Sequence, residues 1–203
     1  QKQPNIINMK KGIGILILLV LGYQSVYFEK LSTRTQQASG VQDFSKRVEA
    51  ILVQGVLNNP VLTEDQQLIK ELNNNLTNTQ KKLGNRLGIG ESAYYLVKGK
   101  ARISFIRDGY VTLDNGSGLD TQFIFGNEVR DASRMIHLED FKSQKDLNAL
   151  TEALNKHLRE TKIPAEMNGI QVGDEISYVG ACEVAPSDLP VTSLTIYPVE
   201  IKH

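Results

Sequence analysis

The chain has 203 residues, of which 40% are hydrophobic and 23% charged, so it can bury a sizeable core. Its 23 basic residues balance 23 acidic ones, which excludes a strongly basic nucleic-acid binder at the level of the whole chain. One cysteine and three histidines exclude an intrachain disulfide framework and a Cys-rich metal site. We expect no metal and no cofactor.

The N-terminal segment has the pattern of an export signal. Residues 1–11, a leader and n-region, end in the pair Lys10 and Lys11, and residues 12–28 are apolar and uncharged. Because no small-x-small cleavage site follows, this pattern predicts an uncleaved membrane anchor at 12–28, with the lysines in the cytosol and the remainder outside it. The polar residues 29–42 are typical of a stalk between a membrane and a folded domain.

Two amphipathic helices are predicted over residues 43–84. Apolar residues from Phe44 to Val56 recur at helical spacing, and the segment 58–60, Asn-Asn-Pro, predicts the end of the first helix. The segment from Thr63 to Gln66 fits a capping box, which would start the second helix. The apolar stripe of that helix consists of Leu68, Leu72, Leu76 and Leu83.

At Tyr94 the apolar pattern changes from helical spacing to alternation, which predicts strands. Three strands, a helix and two strands follow, which is the element order of the five-stranded OB barrel. We therefore predict an α+β fold with an OB-like β-barrel over 85–203, a helix between strands 3 and 4, and the two-helix segment and membrane anchor helix before it. The predicted strands are 94–105, 110–113, 119–125, 175–184 and 191–200, and the helix runs from Leu147 to Leu158 and ends ahead of Pro164.

Five short segments carry a family resemblance: Gly22–Leu31, Tyr95–Ala101, Phe125–Ala132, Val172–Ala181 and Ile196–Ile201. Through them the chain resembles the predicted periplasmic lipoproteins of domain of unknown function 2291, which are often encoded beside sugar ABC transporters. The resemblance implies an OB fold, an extracytoplasmic location and sugar ABC transporter components as partners. Many members carry a lipid-attachment cysteine after the apolar segment. This chain has none there, which favours a retained helix.

The candidate binding site follows the third predicted strand, where an OB barrel presents ligand-facing loops. Arg130 offers a planar fork of donors and Asp131 an acceptor, so the two could form a polar clamp for a ligand or partner. Gly126 would allow the turn, and Arg134 would add a second positive charge. The alternative is that Arg130 and Asp131 brace the turn between strand and helix as an ion pair or a helix cap.

Aromatic residues on the first three predicted strands could form a stacking platform for sugar rings or bases. Tyr95 is the member of this set that we include among the candidate binding residues. Alternation along a strand sends about half of such a set into the core, so core packing is the alternative. The other members are Tyr94, Phe105, Tyr110, Phe123 and Phe125.

No pairing of a nucleophile with a base is visible in the sequence, so we do not expect an enzyme. We expect a single-pass protein of the inner (cytoplasmic) membrane with a periplasmic soluble domain, which assists a sugar ABC transporter. The alternative is a stand-alone OB-type binding module for an oligosaccharide or cell-envelope ligand. Nucleic acid is not expected as a partner, because the segment from Glu29 onward is mildly acidic.

Overall fold

A six-stranded sheet organises the part of the chain that the computed structural model describes, residues 44–203. These residues form one compact unit. The predicted leader, membrane anchor and stalk, residues 1–42, lie outside the described residues. No helix within the described range is long and apolar enough to cross a bilayer.

Five of the six strands pair in a closed ring. β2 pairs antiparallel with β3 and with β5, β3 pairs antiparallel with β4, β4 runs parallel to β6, and β6 pairs antiparallel with β5. The sixth strand, β1, adds to β2 in parallel. The strands are β1 (Thr63–Glu64), β2 (Ala93–Arg107), β3 (Tyr110–Leu113), β4 (Gly118–Asp120), β5 (Glu175–Val184) and β6 (Thr195–Lys202).

Helices before the ring and between β4 and β5 complete the α+β fold, which confirms the predicted class. The inserted helices pack on the ring: α3 contacts β2 and β5, and α5 contacts β6. The helices are α1 (Ser45–Ala50), which continues as a π-helix (Ile51–Leu57), α2 (Asp65–Leu83), α3 (Glu128–Ala132), α4 (Gln144–His157), which continues as a π-helix (Leu158–Lys162), and α5 (Ile163–Met167), with 3₁₀ turns at Leu138–Asp140 and Pro186–Asp188.

The capping box predicted at Thr63 does not form. Thr63 and Glu64 are extended and pair with Val97 and Lys98 of β2, so they make a sixth strand where five were predicted. The Thr63 hydroxyl donates to the carbonyl of Val61 at 2.9 Å and is not available as a cap. The second helix therefore starts at Asp65.

Three other predicted boundaries differ from the structure by more than three residues. The chain stays helical beyond Pro164, because this proline lies in the first turn of α5, where the missing N–H costs nothing. The strand predicted at 119–125 ends at Asp120, whose Oδ1 accepts hydrogen bonds from the two backbone N–H groups of Gln122 and Phe123. The strand predicted at 191–200 starts only at Thr195.

The helix α2 is broken at Asn75, whose φ of −157° and ψ of 86° are not helical. The Asn75 side chain accepts from the backbone N–H of Asn78 at 3.0 Å, as an N-cap does for the second half of the helix. The Thr79 hydroxyl donates to the carbonyls of Glu71 and Asn75, both at 2.9 Å. These bonds satisfy groups that the break would otherwise leave without partners.

A buried polar network joins α2 to the ring. The hydroxyl of Tyr178, on β5, donates to Asp65 at 2.6 Å, and the Asn115 amide donates to Asp65 at 2.9 Å. The Tyr178 ring crosses β2 at Gly99, where a Cβ atom would meet the Tyr178 hydroxyl oxygen at 2.4 Å. Gly99 thus leaves room for the Tyr178 ring. Through the Tyr178 hydroxyl, the start of α2 at Asp65 and the β3–β4 turn at Asn115 are both joined to β5.

Candidate functional site

A cleft of about 390 Å³ lies on the outside of the ring, against α3. Its floor is formed by α3 and by the neighbouring ends of β2 and β5, where Tyr94 and Glu183 stand opposite each other in register. The loop 86–91 forms one wall, and the 3₁₀ turn at Leu138 with the first turn of α4 forms the other. Among its lining residues are Arg86, Ile89, Tyr94, Arg130, Asp131, Leu138 and Glu183.

Arg130 and Asp131 meet at the floor of this cleft as a buried ion pair. Arg130 Nε lies 2.5 Å from Asp131 Oδ1, and the two side chains are only 7% and 4% exposed. Arg130 Nη1 donates to the Thr151 hydroxyl of α4 at 2.9 Å. No residue in 44–203 accepts a hydrogen bond from Nη2, and this nitrogen is not fully buried. The donors of Nη2 are therefore available to a ligand.

Short α3 is held in place mainly by side chains from elsewhere. Its apolar residues Val129 and Ala132 are buried against the sheet. The Asn85 amide donates to the carbonyl of Asp131 at 2.6 Å, and the Ser133 hydroxyl donates to the carbonyl of Arg130 at 2.6 Å. A five-residue helix would not persist alone, so these contacts fix the orientation of the ion pair.

Burial dominates the electrostatics around the ion pair. It raises the pKa of Asp131 above its ordinary value, although the hydrogen bond and charge of Arg130 pull that pKa down. Burial likewise raises the pKa of Glu128, the first residue of α3. Burial, followed by the negative charge of Glu183, raises the pKa of Tyr94 to about 12. The carboxyl groups of Asp131 and Glu128 and the hydroxyl of Tyr94 are therefore all poorly solvated.

The lining charges of the cleft balance. Arg86 and Arg130 supply two positive groups, and Asp131 and Glu183 supply two negative ones. Within residues 44–203 no group of three or more His, Cys, Asp or Glu is placed to hold a metal ion. The cysteine, Cys182, is buried in β5, and burial raises the pKa of its thiol. The arrangement is suited to binding by hydrogen bonds, and Cys182 does not line the cleft.

The structure brings together two of the five candidate residues. Arg130 and Asp131 line the cleft, and Tyr95 lies instead in the core, 1% exposed, because it points to the opposite face of β2 from Tyr94. The carbonyl of Gly126 accepts from the Asn155 amide at 2.8 Å, outside the cleft. Arg134 also lies outside the cleft and has a φ of 60°. Its Nη2 donates to the carbonyls of Lys82 and Gly84 at the C-terminal end of α2, at 3.2 and 2.8 Å.

The aromatic residues do not form one platform. Tyr94 alone among them lines the cleft. Phe105, Phe123 and Phe125 are each more than half exposed, and the Arg159 guanidinium lies 4.2 Å from the centre of the Phe125 ring. They therefore do not contribute to the cleft.

Sequence reasoning missed Glu183, Arg86 and the apolar pair Ile89 and Leu138. Glu183 is a charged residue within the apolar β5, and this was the available signal. Its place opposite Tyr94 depends on the register of β2 and β5, which alternation does not reveal. The loop 86–91 and the turn at Leu138 are far apart in the chain, so no local pattern could join them.

Comparison with known proteins supports both the fold and the family. The family model described as predicted periplasmic lipoprotein (DUF2291) matches residues 16–202. No curated protein matches the chain. Among solved structures, an OB-fold protein from Thermotoga maritima is similar, with a TM-score of 0.64 and 19% identity over 79% of this chain and 97% of that one. At this identity the likeness shows the fold alone, and it agrees with the predicted OB-like fold. Because the family model spans most of the chain, the chain belongs to the family of predicted periplasmic lipoproteins (DUF2291).

Proposed function

We propose that this protein is a non-enzymatic, membrane-anchored extracytoplasmic binding module whose cleft takes a small, neutral, hydroxyl-rich ligand such as a sugar. The observation that carries the proposal is the buried pair of Arg130 and Asp131 at the floor of the cleft, with the Nη2 donors of Arg130 unused. The description of the family as periplasmic supports the location.

Charge balance is the reason for a neutral ligand. An anion bound at Arg130 would also face Asp131 and Glu183, and a cation bound at those carboxylates would face Arg130. A hydroxyl group both donates and accepts, so neighbouring hydroxyls of a sugar can pair with the guanidinium and a carboxylate together. Tyr94 adds an aromatic ring to the same floor.

The size of the cleft sets the size of the ligand. Pockets for small molecules have volumes of about 300–1,000 Å³, and this cleft is near the lower end at about 390 Å³. It therefore fits one or two sugar rings and leaves no room for a long chain to be enclosed.

A calorimetric panel with the full chain in detergent tests this proposal. The panel consists of glucose, galactose, xylose and maltose, with galacturonate and glucosamine as charged counterparts. We expect a neutral sugar to bind best, and Glu183→Gln to weaken that binding about tenfold or more, because a charge-assisted hydrogen bond to a ligand hydroxyl becomes a weaker neutral one. Glu175→Gln, on the same strand but outside the cleft, is the matched control. Tighter binding of a charged counterpart, or no binding by any sugar, would contradict the proposal.

The anchor is the second part of the proposal. We expect residues 12–28 to remain attached and to hold the domain at the outer face of the inner membrane as a single-pass helix. Mass spectrometry of the mature N-terminus in the membrane fraction checks this expectation. A mature chain that starts between Tyr23 and Tyr27 would show that the segment is cleaved.

An accessory role beside a sugar ABC transporter is the second candidate function. It is supported by the family resemblance and by exposed aromatic side chains outside the cleft that could contact a protein, among them Phe105, Tyr110 and Phe123. Crosslinking in membranes followed by affinity purification of the tagged protein tests it. We expect permease or ATPase subunits of a sugar transporter with the wild-type chain and fewer with Phe105→Ser and Phe123→Ser combined. Their absence from the wild-type sample would overturn this role.

A further inference from the structure

The loop 86–91 carries an apolar side chain at its tip that nothing in the described structure covers. Ile89 is fully exposed although it belongs to a loop that lines the cleft. It stands between Gly88 and Gly90, and a Cβ atom added at either glycine would find no heavy atom within 4 Å. The tip is therefore free of packing on both sides of Ile89 and has space in which to move.

The opposite wall carries an apolar side chain and contacts α1. Leu138, 49% exposed, lines the cleft from the 3₁₀ turn. Next to it, Arg47 of α1 lies 3.4 Å from Asp140 and stacks 4.5 Å from the centre of the Phe141 ring. The wall formed by the 86–91 loop is held at its base, where Leu87 packs against the core and the Gln80 amide donates to the carbonyl of Glu91 at 3.2 Å. Its glycine-flanked tip is contacted by the Arg86 guanidinium, which donates to the carbonyl of Gly90.

The charged groups of the floor and the apolar groups of the walls approach a ligand from different sides, and Arg86 adds a charged group to the wall that carries Ile89. Arg130, Asp131 and Glu183 approach from the floor, and Ile89 and Leu138 belong to the walls. A ligand that uses all five residues must carry hydroxyls along one edge and C–H groups on a face. Water can form hydrogen bonds with the polar groups of the floor, but it makes no favourable contact with the apolar side chains of Ile89 and Leu138.

We propose that the ligand is a ring with a hydroxyl-bearing edge and an apolar face, as in a pyranose, and that Ile89 closes on this face opposite Leu138. The proposal rests on the proposed function, because it takes the same cleft as the binding site. It makes Ile89 the residue that distinguishes a ring from an open-chain polyol with the same hydroxyls. Closure would bury the exposed side chain of Ile89 and move the tip of the 86–91 loop toward the cleft.

The test compares glucose with sorbitol, its open-chain counterpart, by calorimetry on the full chain in detergent. The wild type should prefer glucose, and Ile89→Ser should weaken glucose binding by about tenfold and reduce that preference, because apolar contact with the ring is lost. Val172→Ser is the matched control, since Val172 is also exposed on a loop but lies outside the cleft. Glucose should also slow trypsin cleavage after Arg86 in the wild type but not in Ile89→Ser.

The outcomes separate the two proposals. If Glu183→Gln weakens glucose binding but Ile89→Ser leaves both the affinity and the preference over sorbitol unchanged, the closing role of Ile89 is overturned and the binding function stands. If the wild type binds neither glucose nor any other neutral sugar of the panel, the proposed function itself fails. If glucose binds but does not slow cleavage after Arg86, closure of the loop is overturned.

Discussion

Arg130 has a structural role in the fold and, in the function that we propose, also faces the ligand. Its Nε and Nη1 hold Asp131 and Thr151, which braces α3 against α4. Its Nη2 is left for the cleft. The two interpretations of this pair that the sequence leaves open, a clamp for a ligand and a brace for a turn, are therefore compatible.

Arg130→Ala should lower the free energy of unfolding by about 3–5 kcal/mol, because it leaves the buried Asp131 carboxylate without its partner. Urea unfolding followed by circular dichroism measures the loss. The double variant Arg130→Ala with Asp131→Ala should lose less than the sum of the two single variants, since it removes both charges. A loss below about 1 kcal/mol in Arg130→Ala would show that the pair does not brace the fold.

Glu128 should make stability fall as pH rises through the acidic range. Because burial raises its folded-state pKa above the ordinary 4.5, the unfolded chain ionises first, and the folded state binds more protons between the two values. The contribution is therefore favourable at the lower end of this window and decreases above pH 4.5. Thermal melts of Glu128→Gln across this range should show a smaller fall than the wild type, whereas Glu49→Gln, at an exposed site, should keep the wild-type slope. Equal slopes in Glu128→Gln and the wild type would contradict this assignment.

At the scale of elements, one amide connects α2 to the loop before β6. The Asn73 side chain donates to the carbonyl of Val191 and accepts from its backbone N–H, both at 2.7 Å. Two backbones in a β-sheet exchange the same pair of hydrogen bonds, but here one partner is the side-chain amide of Asn73. It holds the 185–194 segment in an irregular path and accounts for the late start of β6.

Asn73→Ala should therefore lower the free energy of unfolding by about 1–3 kcal/mol, because two backbone groups of Val191 lose their partners. Asn74→Ala is the control, an exposed neighbour of the same type, and it should change stability by less than about 0.5 kcal/mol. Chemical denaturation of both variants measures the difference. Equal stability of the two would show that the loop is held by other contacts.

Elements with a regular pattern bounded by turn sequences were predictable from the sequence. The predicted strands 110–113 and 175–184 match β3 and β5 residue for residue. Features that depend on distant partners were not. Thr63 is extended because β2 lies beside it, and the break at Asn75 is stabilised by Thr79 one turn later. The asparagine run at 73–75 was the local signal for that break.

The candidate site, like the fold, was predictable only where it depends on residues that are close in the sequence. Arg130 and Asp131 could be found because they are adjacent and follow a strand. Glu183 and Tyr94 come together only through the pairing of β5 with β2. Tyr95 was assigned to the surface because the sequence shows the alternation of this strand but not which face is covered.

At the scale of the whole molecule, the ring is filled and the cleft lies outside it. Tyr178, Cys182 and Tyr95 are buried on the paired strands β5 and β2. The helices inserted between β4 and β5 supply both α3 and the far wall of the cleft. This insertion therefore supplies much of the proposed binding site of the OB-like fold.

A tryptophan reporter tests the place of binding most directly, because the natural chain contains no tryptophan. Gln144→Trp places one at the rim of the cleft. Gln67→Trp places one near the start of α2, outside the cleft. Each of these glutamines is exposed and bonded to the side chain four residues on, so the two variants are matched. When glucose, or the neutral sugar that binds best, is titrated in, the account predicts a saturable fluorescence change in Gln144→Trp and none in Gln67→Trp. A saturable change in Gln67→Trp alone, or no change in either variant, would contradict binding in the cleft.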